Sequence, residues 1–589
     1  MNPKTIIETI CKAAIEKIFN IKIETLEIQQ TRKEFEGDYT LVIFPLIKEL
    51  KGNPELIANQ IGNELLENKN SITAFNVVKG FLNLSLSNKI FYDFLDENYL
   101  NTKFGYEQNT KSKIMVEYSS PNTNKPLHLG HVRNNVLGFS IAKIKEAEGY
   151  KVLKSQIIND RGIHICKSMI SYKLYGNNET PENTGLKGDK LIGNYYVKFD
   201  QEYQKEIKVL ESTGMSKDDA KKQAPILLKA QEMLLKWEEG DAETLALWNR
   251  MNSWVYAGFD ETYKNLGVDF DIIQYESNTY KLGKDIIQTG LEKGVFYQKE
   301  DSSIWCDLTD VGLDEKIVQR SDGTSVYITQ DLGTAAERFK DYGISELIYT
   351  VGNEQDYHFQ VLFEIMKKLG YNWSSNMYHL SYGMVDLPQG KMKSREGTVV
   401  DADELMLEMK ATAKQKAEEL GKLDEFSDEQ KNELYSKIGM AALKYYILKV
   451  DAKKRILFDP NDSIDFNGNT GPFILYTYAR IQSIFRKSNS TEFYISPNEE
   501  LNKNEKEIVI HIANFNECIK KASNTLNPSL IANYTYDLVK LFNSFYQNHS
   551  ILQAENEPIK KNRLAITKLT SNTIYNALQL LGIETVERM

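Results

Sequence analysis

Residues 113–144 read KIMVEYSSPNTNKPLHLGHVRNNVLGFSIAKI, and the order of patterns inside this stretch decides the fold. Lys113 to Tyr118 is a short apolar run of the kind presented by a strand covered on both faces. A loop rich in proline and asparagine leads from it to Gly130. Beyond the loop Val132, Val136, Leu137, Ile141 and Ile144 recur at helical spacing and make one apolar stripe. The next strand follows as KVLKSQII, Lys151 to Ile158. Strand, helix and strand in this order predict a mostly parallel sheet covered by helices.

Strand signals return downstream in SIWCDL (Ser303–Leu308), TSVYIT (Thr324–Thr329) and ELIYTVG (Glu346–Gly352). Between roughly 170 and 260 a charged, helix-rich segment interrupts the sheet as an insertion. Upstream, helical patterns in 1–20 and 54–68 and a strand in GFLNLSL (Gly80–Leu86) predict a small α+β unit, closed off by the pattern-breaking Asn101–Lys113. After about residue 405 strand signals nearly vanish. Helical spacing takes over, as in Ile574, Leu578 and Leu581 before Gly582, a helix stop. The predicted domains are 1–108, 109–404 and 405–589, the last an all-α bundle.

A chain of 589 residues exceeds what one core serves, and about four structural units are expected at roughly 150 residues each. Its 41% hydrophobic and 26% charged residues are ordinary for a soluble protein, and no apolar run reaches the length that spans a bilayer. The first residues lack the pattern of a secretory signal, so a cytoplasmic location is expected. Cys11, Cys166, Cys306 and Cys518 are scattered singly, which predicts reduced thiols and no metal clip. A net charge of −10 opposes nucleic-acid binding by the chain as a whole. Local clusters must carry any such role: Lys453 to Arg455, then Arg480, Arg486 and Lys487, then Lys560, Lys561 and Arg563, although most charge runs are solvated faces.

His128-Leu129-Gly130-His131 is the strongest motif. With 7 His and 34 Gly in the chain, HxGH arises by chance roughly 0.005 times. It falls where a strand hands over to a helix, so Gly130 allows a close backbone approach while the helix start offers free N–H groups to phosphate oxygens. Two imidazoles there can donate to developing negative charge. A zinc pair and two buried core histidines are the other readings, but zinc usually needs further Cys, His or carboxylate ligands, and the intervening glycine disfavours the regular helix that aligned ligand pairs prefer. No tightly bound metal is expected.

HLGH after a strand resembles the HIGH signature of the class I aminoacyl-tRNA synthetases, and Lys391-Met392-Lys393-Ser394-Arg395 resembles their KMSKS loop. The second lysine of that loop would fall at Ser394, whereas this chain carries Lys393 one position earlier. In arginyl-tRNA synthetases a lysine just ahead of HIGH supplies the missing charge, and the resemblance assigns that place to Lys125. The resemblance implies a Rossmann-type catalytic domain that binds ATP through Lys125, His128, Gly130, His131, His358, Lys391, Met392 and Ser394. Lys125, His128, His131 and Lys391 would stabilise charge during catalysis.

A guanidinium is planar and always charged, so a selective pocket calls for carboxylates in forked geometry. TSVYITQDLGTAAERF, Thr324–Phe339, resembles the arginine-pocket helix of the arginyl-tRNA synthetases. The resemblance places Asp331, Glu276 and Tyr327 around the charged groups of arginine, with Asn122 and Gln355 bonding its polar atoms. His358 would support them. Taken one at a time, Asp331 reads as a helix cap, Tyr327 as a half-buried strand residue and Gln355 as a polar strand end. EFEGDYTLVIFPL (Glu34–Leu46) resembles the family's N-terminal tRNA-contacting domain, and Thr470–Ile484 with Leu581–Met589 its anticodon-binding bundle. Tyr476, Tyr478, Arg480 and Met589 are the implied tRNA contacts. The implied partners are L-arginine, ATP with Mg2+ and tRNA(Arg), acted on by a monomer.

Overall fold

The computed structural model describes residues 2–67, 71–386, 400–419, 425–488, 495–497 and 499–589. A four-stranded antiparallel sheet opens the chain: β1 (Ile28–Gln30), β2 (Tyr39–Val42), β3 (Ile72–Val78) and β4 (Phe81–Leu86), in the order β1-β2-β4-β3. Helices Pro3–Phe19 and Pro54–Glu67 cover it, as the two N-terminal helical patterns predict.

The central sheet is five-stranded and parallel throughout. It joins β5 (Lys113–Glu117), β6 (Lys151–Ile158), β7 (Ile272–Tyr275), β11 (Glu346–Gly352) and β12 (Met377–Tyr382) in the order β12-β11-β5-β6-β7. Side chains alternate across it. Val116 and Ile348 join a core that runs on into both terminal domains, whereas Met115, Leu347 and Tyr349 join a second core on the opposite face. The apolar strands were legible because burial on both faces removes the polar alternation. Successive strands leave β5 in one direction through β6 and β7, and the chain then returns to add β11 and β12 on the other side. β5 and β11 therefore flank the point where the order reverses, the place where such sheets leave a ligand crevice beyond their carboxyl ends.

One strand expectation holds in a different sheet and another fails. SIWCDL does form β9 (Ile304–Cys306), but β9 lies between β8 (Phe296–Gln298) and β10 (Lys316–Gln319) in a separate antiparallel sheet. TSVYIT is not a strand: Val326 is an extended cap and the helix begins at Tyr327. Buried Ile328, Leu332, Ala335 and Phe339 repeat at helical spacing, and this longer pattern outweighs the local β-branched preference.

The helices that build the site are α1 (Leu129–Ala147), α2 (Pro225–Glu239), α3 (Ala242–Leu266), α4 (Glu276–Thr279), α5 (Tyr327–Tyr342) and α6 (Asp356–Lys368). α2 and α3 belong to the helical insertion, which has no strand between β6 and β7. α1 is buried on its polar side as well as on its predicted stripe, with Arg133 donating to the carbonyls of Met384, Ala452 and Lys454. The last third is helical, as expected, apart from the two-residue β14 (Ile456–Leu457), which pairs in parallel with β13 (Val385–Asp386). Ser140 of α1 donates to the carbonyl of Leu580, so the final helix docks directly on α1. Among the described residues no helix is long and apolar enough to cross a membrane. The four cysteines are free, and burial raises each thiol, Cys11 to about 12.

Candidate active site

α1 starts with a reciprocal cap. The N–H of Gly130 donates to His128 Nδ1 and the N–H of His128 donates to His131 Nδ1, both at 3.1 Å. The two rings lie 3.9 Å apart. Because both Nδ1 atoms accept, each neutral ring carries its proton on Nε2, the nitrogen left to donate to a ligand. Desolvation, reinforced by nearby Lys125, pulls His128 down to about 4 and His131 well below its ordinary value. Both rings are thus neutral donors at pH 7. Gly130 has ordinary helical backbone, and a Cβ there would stand 3.0 Å from His128 Cε1. The glycine leaves room for the folded-back histidine ring, a reason that the sequence reading did not give.

The segment that follows Lys391–Arg395 is stitched to this motif. Leu129 N–H donates to Val400 and Ala402 N–H to Leu127, and His128 is bridged antiparallel to Asp401. Lys391, Met392, Lys393 and Ser394 themselves lie outside the described residues.

A cavity of about 620 Å³ opens over the carboxyl ends of β5 and β11. His128, Gly130 and His131 line it on one side. Asn122, Glu276, Tyr327, Asp331, Gln355 and His358 line it on the others, so the positions expected for arginine share one chamber with the histidine pair. Asn122 sits on the loop after β5, where its backbone bridges to Asn159 at the end of β6. Glu276 opens α4 directly after β7. Burial raises its carboxyl to about 7, with Arg161 pulling it down and Asp160 and Asp331 pushing it up. Tyr327, 76% exposed, is the first residue of α5 and lies one turn before Asp331. Asp331 therefore caps nothing and Tyr327 is no strand residue. Gln355 ends the short turn Asn353–Gln355 after β11.

Several polar residues of the cavity went unnoticed in the sequence. Glu117 pairs with Arg338, which is fully buried and also donates to Gln274 at 2.9 Å. Asn134 accepts from Ser119 N–H and donates to the Thr350 carbonyl, both at 2.6 Å, tying α1 to the ends of β5 and β11. Its only sequence signal is its position one turn after His131 on the same helix. Glu117, a charge closing an apolar strand, was visible but had no visible partner.

In the C-terminal domain Arg480 lies between the rings of Tyr476 and Tyr546, at 4.9 and 5.2 Å. Tyr478 is buried beside Tyr575 and offers no open face. Met589 is half-buried against the main core. Arg563 is not a surface cation: it is buried and bonded to Glu505 at 2.9 Å.

Fold and site together define an α/β protein of the doubly wound class whose ligand crevice lies at its switch point. Residues 97–459 match the family model described as tRNA synthetases class I (R), catalytic domain. Residues 5–86 match the arginyl tRNA synthetase N terminal domain and residues 474–589 the DALR anticodon binding domain. The chain is 56% identical to an arginine–tRNA ligase of Flavobacterium psychrophilum over 100% of both chains, and 53% identical to one of Bacteroides thetaiotaomicron over 96% of each. A Thermus thermophilus arginyl-tRNA synthetase shares the fold, with a TM-score of 0.80 over the full length of both chains at 22% identity. The chain belongs to the arginyl-tRNA synthetase family of class I tRNA synthetases.

Proposed function

We propose that this chain activates L-arginine with ATP and transfers the arginyl group to the 3′-terminal adenosine of tRNA(Arg). One observation carries the choice of amino acid: Asp331 and Glu276 face the same cavity as the neutral histidine pair. Two carboxylates suit a forked cation, and the Nε2–H groups suit phosphate oxygens.

In the first step a carboxylate oxygen of arginine attacks the α-phosphorus of ATP. The bond to the bridging oxygen breaks, and arginyl-adenylate and pyrophosphate result. In the second a ribose hydroxyl of the terminal adenosine attacks the arginyl carbonyl carbon, loses its proton and releases AMP. No side-chain nucleophile is needed, so positioning and charge stabilisation supply the rate. His128, His131, Lys125 and Lys391 stabilise phosphate charge, and Mg2+ enters with ATP as part of the substrate. Lys125 replaces the lysine missing at Ser394; the pull of its charge on both histidines supports this. Gly130, His358, Met392 and Ser394 complete the ATP site. Asp331, Glu276 and Tyr327 hold the charged groups of arginine, and Asn122 and Gln355 its polar atoms.

Residues 1–108 contact tRNA, 109–404 carry the chemistry and 405–589 bind the anticodon arm. Tyr476, Arg480 and Met589 contact RNA there, whereas Tyr478, buried beside Tyr575, does not. The protein works in the cytoplasm as a monomer.

Ligation assays with ATP, total tRNA and each of the twenty amino acids test the reading: arginine alone should be attached to tRNA. Stable attachment of another amino acid, with arginine inert, overturns it. Pyrophosphate exchange should also require tRNA, and equal rates with and without it would remove that part.

A further inference from the structure

Asp160, the second residue after β6, is 1% exposed and is bonded on every side. Its carboxylate accepts from Ser277 N–H at 2.8 Å, Ser277 Oγ at 2.7 Å and the Tyr256 hydroxyl at 2.9 Å. Its carbonyl accepts from Trp248 Nε1 at 2.7 Å and Asn252 Nδ2 at 3.3 Å. Ser277 directly follows Glu276, so Asp160 caps the one-turn helix that carries this carboxylate. Trp248, Asn252 and Tyr256 recur every four residues along one face of α3. One buried carboxylate thus knots together the end of β6, the insertion and the segment bearing Glu276.

The next residue extends the link. The Arg161 guanidinium lies 3.9 Å from the centre of the Tyr280 ring and 5.3 Å from that of Trp237, and pairs with Glu238 of α2 at 3.2 Å. The site would not otherwise need contact with the insertion, because Glu276 is reached from β7 without it. A one-turn helix has too few backbone bonds to hold its own direction.

We propose that Asp160 is a positioning residue for Glu276, and that through it α2 and α3 set the affinity of the site for arginine. That role rests on Glu276 as an arginine contact. Ser277 and Tyr256 are the donors through which it acts. Losing this cap lets α4 turn, so arginine binding should weaken while ATP binding and chemistry at saturating arginine persist.

Aminoacylation kinetics of the full-length protein, with tRNA saturating, test this in Asp160→Asn, Tyr256→Phe, Ser277→Ala and Glu276→Gln, and in Asp160→Asn combined with Glu276→Gln. Asp160→Asn should raise KM for arginine about tenfold or more and Tyr256→Phe about threefold, with kcat and KM for ATP within about twofold. In the Glu276→Gln background the added effect of Asp160→Asn should shrink below about twofold, as expected for residues acting through one another. A full tenfold effect in that background overturns the role, as does a loss of kcat and ATP affinity in step with arginine affinity. An unchanged KM in Asp160→Asn, with Glu276→Gln still impaired, overturns it while leaving the arginine pocket standing. An unchanged KM in Glu276→Gln removes both. If Asp160→Asn does not fold, Tyr256→Phe and Ser277→Ala decide by the same criteria.

Discussion

His358 Nε2 stands 2.6 Å from Asp331 Oδ2, joining α6 to α5 across the mouth of the cavity. With one carboxylate oxygen engaged, the imidazole fixes the rotation of the group and leaves the other oxygen free for a cation. Asp331→Asn removes the charge and should raise KM for arginine about a hundredfold, the scale of a lost charge-assisted bond of roughly 3 kcal/mol. His358→Ala leaves the charge but frees its rotation, and about tenfold is expected. Steady-state KM values for arginine and ATP check both, with the ATP value of Asp331→Asn unchanged.

The raised carboxyl of Glu276 makes arginine binding depend on pH. Burial holds it near 7 in the free protein, so a falling pH protonates it and removes half of the receptor for a cation. KM for arginine should climb as pH falls from 8 to 6, approaching about tenfold per unit below the titration point. The slope should vanish in Glu276→Gln, which binds weakly at all pH values.

The same group has a predictable effect on stability. Its folded value of about 7 lies above the ordinary 4.5, so the folded chain holds this proton more tightly than the unfolded chain does. The resulting stability is complete below about pH 4.5 and is lost as pH rises through 7. Glu276→Gln, which cannot ionise, should melt at a higher temperature than the parent at pH 8 and at nearly the same temperature at pH 4. A lower melting temperature at pH 8 would show that the carboxylate is compensated in the free protein.

The pieces of the site that were legible are those written into contiguous sequence. HLGH was visible because a rare pairing of residues follows a strand, and the parallel strands because burial on both faces leaves them apolar. What stayed hidden depends on partners far apart in the chain. Arg338 reads as one charge on an amphipathic helix until Glu117 is brought beneath it. Asp160 reads as a polar strand end until α3 and α4 close around it. Tyr327 was misread for a different reason: Thr324–Thr329 is rich in β-branched and aromatic residues, and the helical period emerges only over the full length of α5. The glycine of the motif was found, but its reason, clearance for the His128 ring, exists only in three dimensions.

That clearance can be tested where helix propensity and site geometry oppose each other. Alanine is about 1 kcal/mol better than glycine inside a helix, and Gly130 has no positive φ to forbid it. Gly130→Ala should therefore preserve or raise the melting temperature. The new Cβ, 3.0 Å from His128 Cε1, makes the ring give by a few tenths of an ångström, and this shifts its Nε2–H relative to the phosphate position. A drop in kcat of about ten- to a hundredfold is expected, within the range for a displaced charge-stabilising donor. Retained kcat would show that the ring does not need this seat.

Two arginines of the C-terminal domain separate folding from RNA binding. Arg563 is sealed in the core with Glu505 and also donates to the Ser550 carbonyl, so Arg563→Ala strands a buried carboxylate. A loss of about 3 to 5 kcal/mol is expected in denaturant unfolding, the usual result of removing one partner of a buried pair. Arg480 is half-buried between Tyr476 and Tyr546 and bonds to Asn543, a neutral partner. Arg480→Ala leaves no stranded charge, so it should change stability by less than about 1 kcal/mol. Removing a cation stacked on open aromatic faces should instead raise KM for tRNA about tenfold and flatten its salt dependence. If Arg563→Ala weakened tRNA binding with no loss of stability, the roles of the two cations would have to be exchanged, and the buried Glu505 would need another partner.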